Sequence, residues 1–206
     1  MDISGYRYDH ASTNPSHLYL LPCVRELLQN AIRSGLSKRL FEAGCGNGVI
    51  ADMLSREGFE VVGVDPSRTG IEQAARAYPH LRLETGSTED DLVARFGTFP
   101  IVISLEVVEH VYAPRQFARS LYDLLEPGGA AIISTPYHGY VKNVALAITG
   151  RMDAHFTSLW DHGHVKFWSV KTLTQLLTEA GFRNITFRRL GRFQPLAKSM
   201  IASAWK

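Results

Sequence analysis

Short apolar runs alternating with amphipathic segments, three glycines on alternate positions directly after the first run, and an aspartate closing the second predict an α/β fold around a mostly parallel sheet. The first strand is expected over residues 38–43 and the first helix over 48–57, closed by Gly58. A second strand over 60–64 leads into Asp65. The helix over 67–77 stops before Pro79, and further strands follow at 81–84 and 101–105. Residues 114–125 have a helical period and run into Glu126, Pro127, Gly128 and Gly129, a turn ahead of a fifth strand over 130–134. Ser169 and Gly181 are suited to cap a helix over 170–180. The last two strands are expected over 185–190 and 199–205, and an amphipathic helix over 18–31 precedes the whole series.

A length of 206 residues fits one domain, 1–206. Within it, residues 1–37 read as a tail and cap helix and 137–168 as an insertion over the substrate. Hydrophobic residues at 45% and charged residues at 20% are globular values and exclude a disordered or fibrous chain. A net charge of +2 speaks against bulk nucleic-acid binding. Cys23 and Cys45 lie far apart with no CxxC spacing, so they read as reduced thiols rather than a disulfide framework or a zinc site. The N-terminus is polar, and no segment approaches the ~18 apolar residues of a membrane span. A soluble, cytoplasmic protein is expected.

The glycines stand in the stretch Glu42, Ala43, Gly44, Cys45, Gly46, Asn47, Gly48, at the carboxyl end of the first strand. Ligands of open α/β sheets bind outside such strand ends. Without Cβ atoms the backbone approaches a ligand closely, and positive φ is permitted where the turn needs it. Asp65 follows Gly46 by 65 − 46 = 19 residues, close to the ~20 at which a carboxylate reaches ribose hydroxyls. Gly86, Ser87, Thr88 and Glu89 follow the third strand, where polar groups meet an adenine edge. Three elements in this order point to a nucleoside ligand. The spacing is GxGxG, which opposes the GxGxxG of a nicotinamide dehydrogenase. Glu42 opposes it further, because a carboxylate there repels a pyrophosphate and suits a cationic amine.

On these residues the chain resembles the class I S-adenosylmethionine-dependent methyltransferases: the stretch from Glu42 to Gly48 looks like their motif I and Val64, Asp65, Pro66 and Ser67 like motif II. The resemblance implies a Rossmann-like, seven-stranded, mostly parallel sheet with an antiparallel last strand and helices on both faces. It implies S-adenosylmethionine as cofactor and a small-molecule methyl acceptor as partner. Gly44, Cys45, Gly46, Asn47 and Gly48 would line the methionine part, with Glu42 suited to its cationic amine. Asp65 would bind the ribose with Ser67 beside it, and Ser87, Thr88 and Glu89 would lie by the adenine, with Leu105 at the end of strand four. Pro100 departs from the pattern, since many relatives carry aspartate before strand four. A module that binds the cofactor without catalysis is the rival reading from another class, and turnover separates the two.

Residues 104–111 contain Glu106, Glu109 and His110, and with Leu125 to Gly129 and Ser134, Thr135 and Pro136 they are similar to the ubiquinone-biosynthesis O-methyltransferase group. The ExxEH element also resembles small-RNA 2′-O-methyltransferases, where it implies a divalent metal. If this stretch makes one helical turn, Glu106, Glu109 and His110 share a face. Two carboxylates and an imidazole suit Mg²⁺, Mn²⁺ or Zn²⁺. The other reading has no metal, with His110 facing the substrate as general base.

The insertion carries His138, His155, His162 and His164 among aromatics. Asp161, His162, Gly163 and His164 are the strongest candidates for completing a metal site from a distant segment; packing within a lid is the alternative. Residues 140–148 are apolar and are expected to line a pocket rather than lie on a membrane surface. Tyr6, Arg7 and Tyr8 would cover the cofactor or stay in a disordered tail.

Overall fold

Neighbouring residues of the first strand are buried on opposite faces of one sheet: Leu40 packs with Val24, Leu28 and Leu54 on one side, while Phe41 packs with Phe117, Leu121 and Leu177 on the other. The structure is a computed structural model and describes residues 15–206. The expected role of Tyr6, Arg7 and Tyr8 lies outside the described residues. The strands are β1 (Arg39–Ala43), β2 (Glu60–Asp65), β3 (Arg82–Thr85), β4 (Phe99–Leu105), β5 (Leu125–Pro136), β6 (Arg183–Leu190) and β7 (Ser199–Trp205). The helices are α1 (Pro15–Arg33), α2 (Val49–Arg56), α3 (Arg68–Ala77), α4 (Leu92–Phe96), α5 (Pro114–Leu124), α6 (Tyr140–Ile148), α7 (Met152–Phe156) and α8 (Val170–Ala180).

The sheet order is β3-β2-β1-β4-β5-β7-β6, and β7 runs antiparallel to both of its neighbours. This is the Rossmann-like seven-stranded arrangement expected, with helices on both faces. Residues of α1 and α2 cover one face, and residues of α5 and α8 cover the other. In α5 the buried set Phe117, Ala118, Leu121 and Leu124 keeps the period of one helix face, and Pro114 supplies a preset φ at the first turn. Ser169 caps α8 through a bond from Thr172 N, and Gly181 ends it at φ +108°, as its sequence required.

Strand order reverses between β1 and β4, so the loops that follow these two strands meet at the switch point. The contact is direct. A Cβ on Gly44 would stand 2.3 Å from Cγ2 of Val107.

Several elements differ from expectation. The turn expected at Glu126 to Gly129 lies inside β5, which starts directly after α5. Phe99 pairs with Leu125 and Ile101 with Ala130, so two steps on β4 face five on β5 and the surplus residues bulge. Gly128, at φ +77°, supplies the bend. The helix α4 was not expected, because five residues are too few to show a period; Asp91 caps it through Ala94 N at 3.0 Å. The insertion is partly regular and forms α6 and α7. Finally, residues 106–110 do not form one helical turn. Glu106 takes a left-handed φ of +57°, and only the tight turn from Val107 to His110 closes, through His110 N to Val107 O at 2.9 Å.

Candidate active site

The glycine loop is tied to β2 at both ends. Gly44 N and Cys45 N donate to Val64 O, and Gly46 N donates to Oδ2 of Asp65 at 2.8 Å. The second Asp65 oxygen accepts from Ser67 N, also at 2.8 Å. The aspartate therefore organises the loop as well as ending the strand. Gly44, Gly46 and Gly48 all have positive φ, at 85°, 53° and 77°. Two of them also answer to the protein's own packing: Gly44 lies against Val107, and a Cβ on Gly48 would meet Leu83 at 2.7 Å and Ala74 at 2.9 Å. Asn47 is buried, and its Oδ1 accepts from Val49 N at the start of α2.

Glu42 lies beneath this loop, 2% exposed, and its Oε2 finds no hydrogen-bond partner among the described residues. Burial, reinforced by the neighbouring Asp65, pushes its carboxyl up to about 8. A buried carboxylate oxygen lacking a donor fits an ammonium group, such as the amine of S-adenosylmethionine. Burial also raises Asp65 to about 6, against the two backbone N–H bonds that lower it. The hydroxyl of Ser67 caps α3, accepting from Gly70 N. Ser87 accepts from Glu89 N, and Asp90 accepts from Ser87 N, so this loop is self-organised with Glu89 exposed. Thr88 and Leu105 are half-buried. Cys45, like Cys23, is a buried free thiol.

The left-handed Glu106 separates it from the other two residues of its motif. Its carboxylate accepts from Ser134 Oγ at 2.9 Å and Ser199 Oγ at 3.2 Å, and Ser199 in turn meets Tyr19 OH of α1 at 3.0 Å. Burial raises Glu106 to about 7. Glu109 is 1% exposed; Thr135 Oγ1 donates to its Oε2 at 2.9 Å, while Oε1 has no partner among the described residues. Burial, then Glu106, pushes Glu109 well above the usual carboxylate range.

His110 is held from the insertion. Its Nδ1 lies 3.2 Å from the carbonyl oxygens of both His162 and Gly163. A carbonyl only accepts, so Nδ1 carries the proton and Nε2 keeps its lone pair. Burial lowers the His110 pKa, although the two carbonyls oppose the shift. The insertion returns over the motif in register: Val165 N and Lys166 N donate to Glu109 O, and Trp168 Nε1 donates to Val108 O. His164 thereby reaches His110, with ring centroids 4.9 Å apart. Ligand-capable atoms of Glu109, His110 and His164 lie within 4.8 Å of one another. The structure thus groups two of the three expected ligands with a histidine of the insertion, and Glu106 stands apart. Of the insertion histidines, His162 contributes a backbone carbonyl, while His138 stacks with Phe156.

A switch point bearing a glycine loop, an acidic strand end and an unpartnered buried carboxylate defines a Rossmann-like methyltransferase site. Residues 17–186 match the methyltransferase domain family, and the chain belongs to it as an S-adenosylmethionine-dependent methyltransferase. It is 31% identical over 195 residues to the ubiquinone biosynthesis O-methyltransferase of Ruegeria pomeroyi, covering 85% of this chain and 76% of that protein. The corresponding protein of a Caulobacter species is 40% identical over 116 residues, 54% of this chain and 46% of that protein. Among solved structures, magnesium protoporphyrin IX methyltransferase of Synechocystis superposes with TM-score 0.65 at 19% identity, covering 90% of this chain and 82% of that one. A methyltransferase of Archaeoglobus fulgidus gives 0.63 at 16% identity, covering 90% and 94%. Among the described residues no helix is long and apolar enough to cross a membrane.

Proposed function

We propose that this chain methylates a hydroxyl on a small acceptor, aromatic or lipid-linked, with His110 removing the proton. S-adenosylmethionine supplies a methyl carbon made electrophilic by its sulfonium. Glu42 would hold the amine, the backbone of Gly44, Cys45, Gly46, Asn47 and Gly48 the methionine part, and Asp65 the ribose. Ser67, Ser87, Thr88, Glu89 and Leu105 would border the ribose and adenine. The carrying observation is His110: two carbonyls fix the ring and its tautomer, and burial favours the neutral form, so Nε2 is placed to accept a proton. The names of the ubiquinone-biosynthesis relatives support a hydroxylated acceptor.

Labelled cofactor incubated with the purified protein and a panel of phenols and alcohols should give an O-methylated product. His110→Ala should keep affinity for S-adenosylhomocysteine and lower kcat by roughly 10²–10⁴. Equal losses in binding and turnover would make the histidine structural.

A second reading assigns Glu109, His110 and His164 to a divalent metal that would polarise the acceptor oxygen. The unpartnered Oε1 of Glu109 favours it.

A further inference from the structure

The insertion and the segment between β6 and β7 enclose a cavity of about 450 Å³. Four cationic side chains line it: Lys142, Arg151, Arg192 and Lys198. Among the described residues none of the four forms an ion pair with an acidic side chain. Lys142 is buried, and its Nζ gives one hydrogen bond, to Tyr137 O at 2.8 Å, which leaves an ammonium with spare donors inside the wall. Glu106 acts on Lys142 electrostatically but already accepts from Ser134 and Ser199. His155 also lines the cavity, and its Nε2 is buried with no partner among the described residues.

Concentrating positive charge without counter-charge costs free energy unless an anion arrives to share it. Guanidinium and ammonium groups converging on one cavity are suited to a carboxylate or a phosphate. The rest of the lining, including Leu146 and Phe167, offers apolar contact. His164 belongs to this cavity and also to the group with Glu109 and His110. A molecule seated here therefore ends beside the proton acceptor.

We propose that this cavity is the acceptor site and that the methyl acceptor bears an oxyanion, carboxylate or phosphate, which Lys142, Arg151 and Arg192 grip while its hydroxyl lies toward His110. The proposal rests on the methyltransferase reading above and adds the charge class of the acceptor.

The test uses benzoate and inorganic phosphate as probes, titrated into the isotopically labelled 206-residue chain and followed by amide NMR. Resonances of α6, α7 and residues 191–198 should shift, and the double variant Arg151→Gln, Arg192→Gln should weaken binding by about tenfold or more. Arg151→Lys with Arg192→Lys should keep most of it. A response to benzoate alone identifies a carboxylate, and a response to phosphate alone a phosphate. Absence of shifts with both probes, or unchanged affinity in the glutamine variant, overturns the proposal. Calorimetry with S-adenosylhomocysteine on the same samples keeps the two readings apart: normal cofactor binding with no anion binding defeats only the oxyanion, whereas absent cofactor binding defeats the cofactor site.

Discussion

The backbone N–H of Gly46 donates to Oδ2 of Asp65 at 2.8 Å, so the residue expected to hold ribose also fixes the glycine turn after β1. Asp65→Ala should therefore show two losses. Leaving the N–H groups of Gly46 and Ser67 without acceptors should cost roughly 1–3 kcal/mol of stability in urea denaturation. Calorimetry should show weakened S-adenosylhomocysteine binding beyond what partial unfolding explains. Full affinity in the folded variant would remove Asp65 from the cofactor site.

Glu42 gives a pH signature. Its carboxyl is raised from the ordinary 4.5 to about 8 in the folded chain, so between these values the native state holds a proton that the unfolded state has lost. Stability from this group falls as pH rises, by up to about 1.4 kcal/mol per unit, and levels off above pH 8. Buried histidines act in the opposite sense: His138 and His164, lowered to about 4, favour the native state increasingly as pH rises to 6.5 and add nothing further above it. Glu106, raised to about 7, and Glu109, raised well above its ordinary value, act in the same sense as Glu42 between pH 6.5 and 8. The contribution of Glu42 is therefore read as the difference between wild type and a variant at that position. Without cofactor, Glu42→Gln should melt higher than wild type, with a gap that widens across this window, while its cofactor affinity drops. A constant gap would mean that Glu42 does not titrate there.

Gly44 tests whether the loop after β1 and the turn after β4 are packed as one unit. A methyl at this position meets Val107 at 2.3 Å and sits at φ +85°, so Gly44→Ala should destabilise by about 1–3 kcal/mol. Val107→Ala in the same chain should recover part of that loss, the remainder being backbone strain. If the two losses simply add in denaturation, the contact carries no coupling.

The parts of the fold legible in the sequence were those with local causes. The glycine turn, the aspartate closing β2 and the caps Ser169 and Gly181 are each written within a few residues. Residues brought together by tertiary packing were not legible. Nothing near Glu106 announces a left-handed backbone, and this single conformation separates Glu106 from Glu109 and His110. Likewise, the stretch from Asp161 to His164 stood out by composition. Only the hydrogen bonds of Val165 N and Lys166 N to Glu109 O decide that His164 reaches the motif while His162 offers a carbonyl. The cationic cavity draws Lys142, Arg151, Arg192 and Lys198 from separated segments, so neither net charge nor any charge run reveals it.

A test for metal binding distinguishes Glu106 from the group formed by Glu109, His110 and His164. One Glu109 oxygen is held by Thr135 and the other is buried without a partner among the described residues, while burial lowers both histidines and so favours the neutral imidazole that ligates metals. Two nitrogens and one carboxylate oxygen favour Zn²⁺ or Mn²⁺ over Mg²⁺, which prefers an all-oxygen shell. Equilibrium dialysis of chelator-treated protein should then show about one bound equivalent, and Glu109→Gln or His164→Ala should weaken it by roughly tenfold or more. Glu106→Gln should leave metal affinity intact, because its carboxylate serves Ser134 and Ser199, and should lower stability instead. If wild type binds no metal and treated enzyme keeps its activity, the group holds no ion. The proposed base His110 would then act without an ion, and Glu109 would serve to fix the turn that presents it.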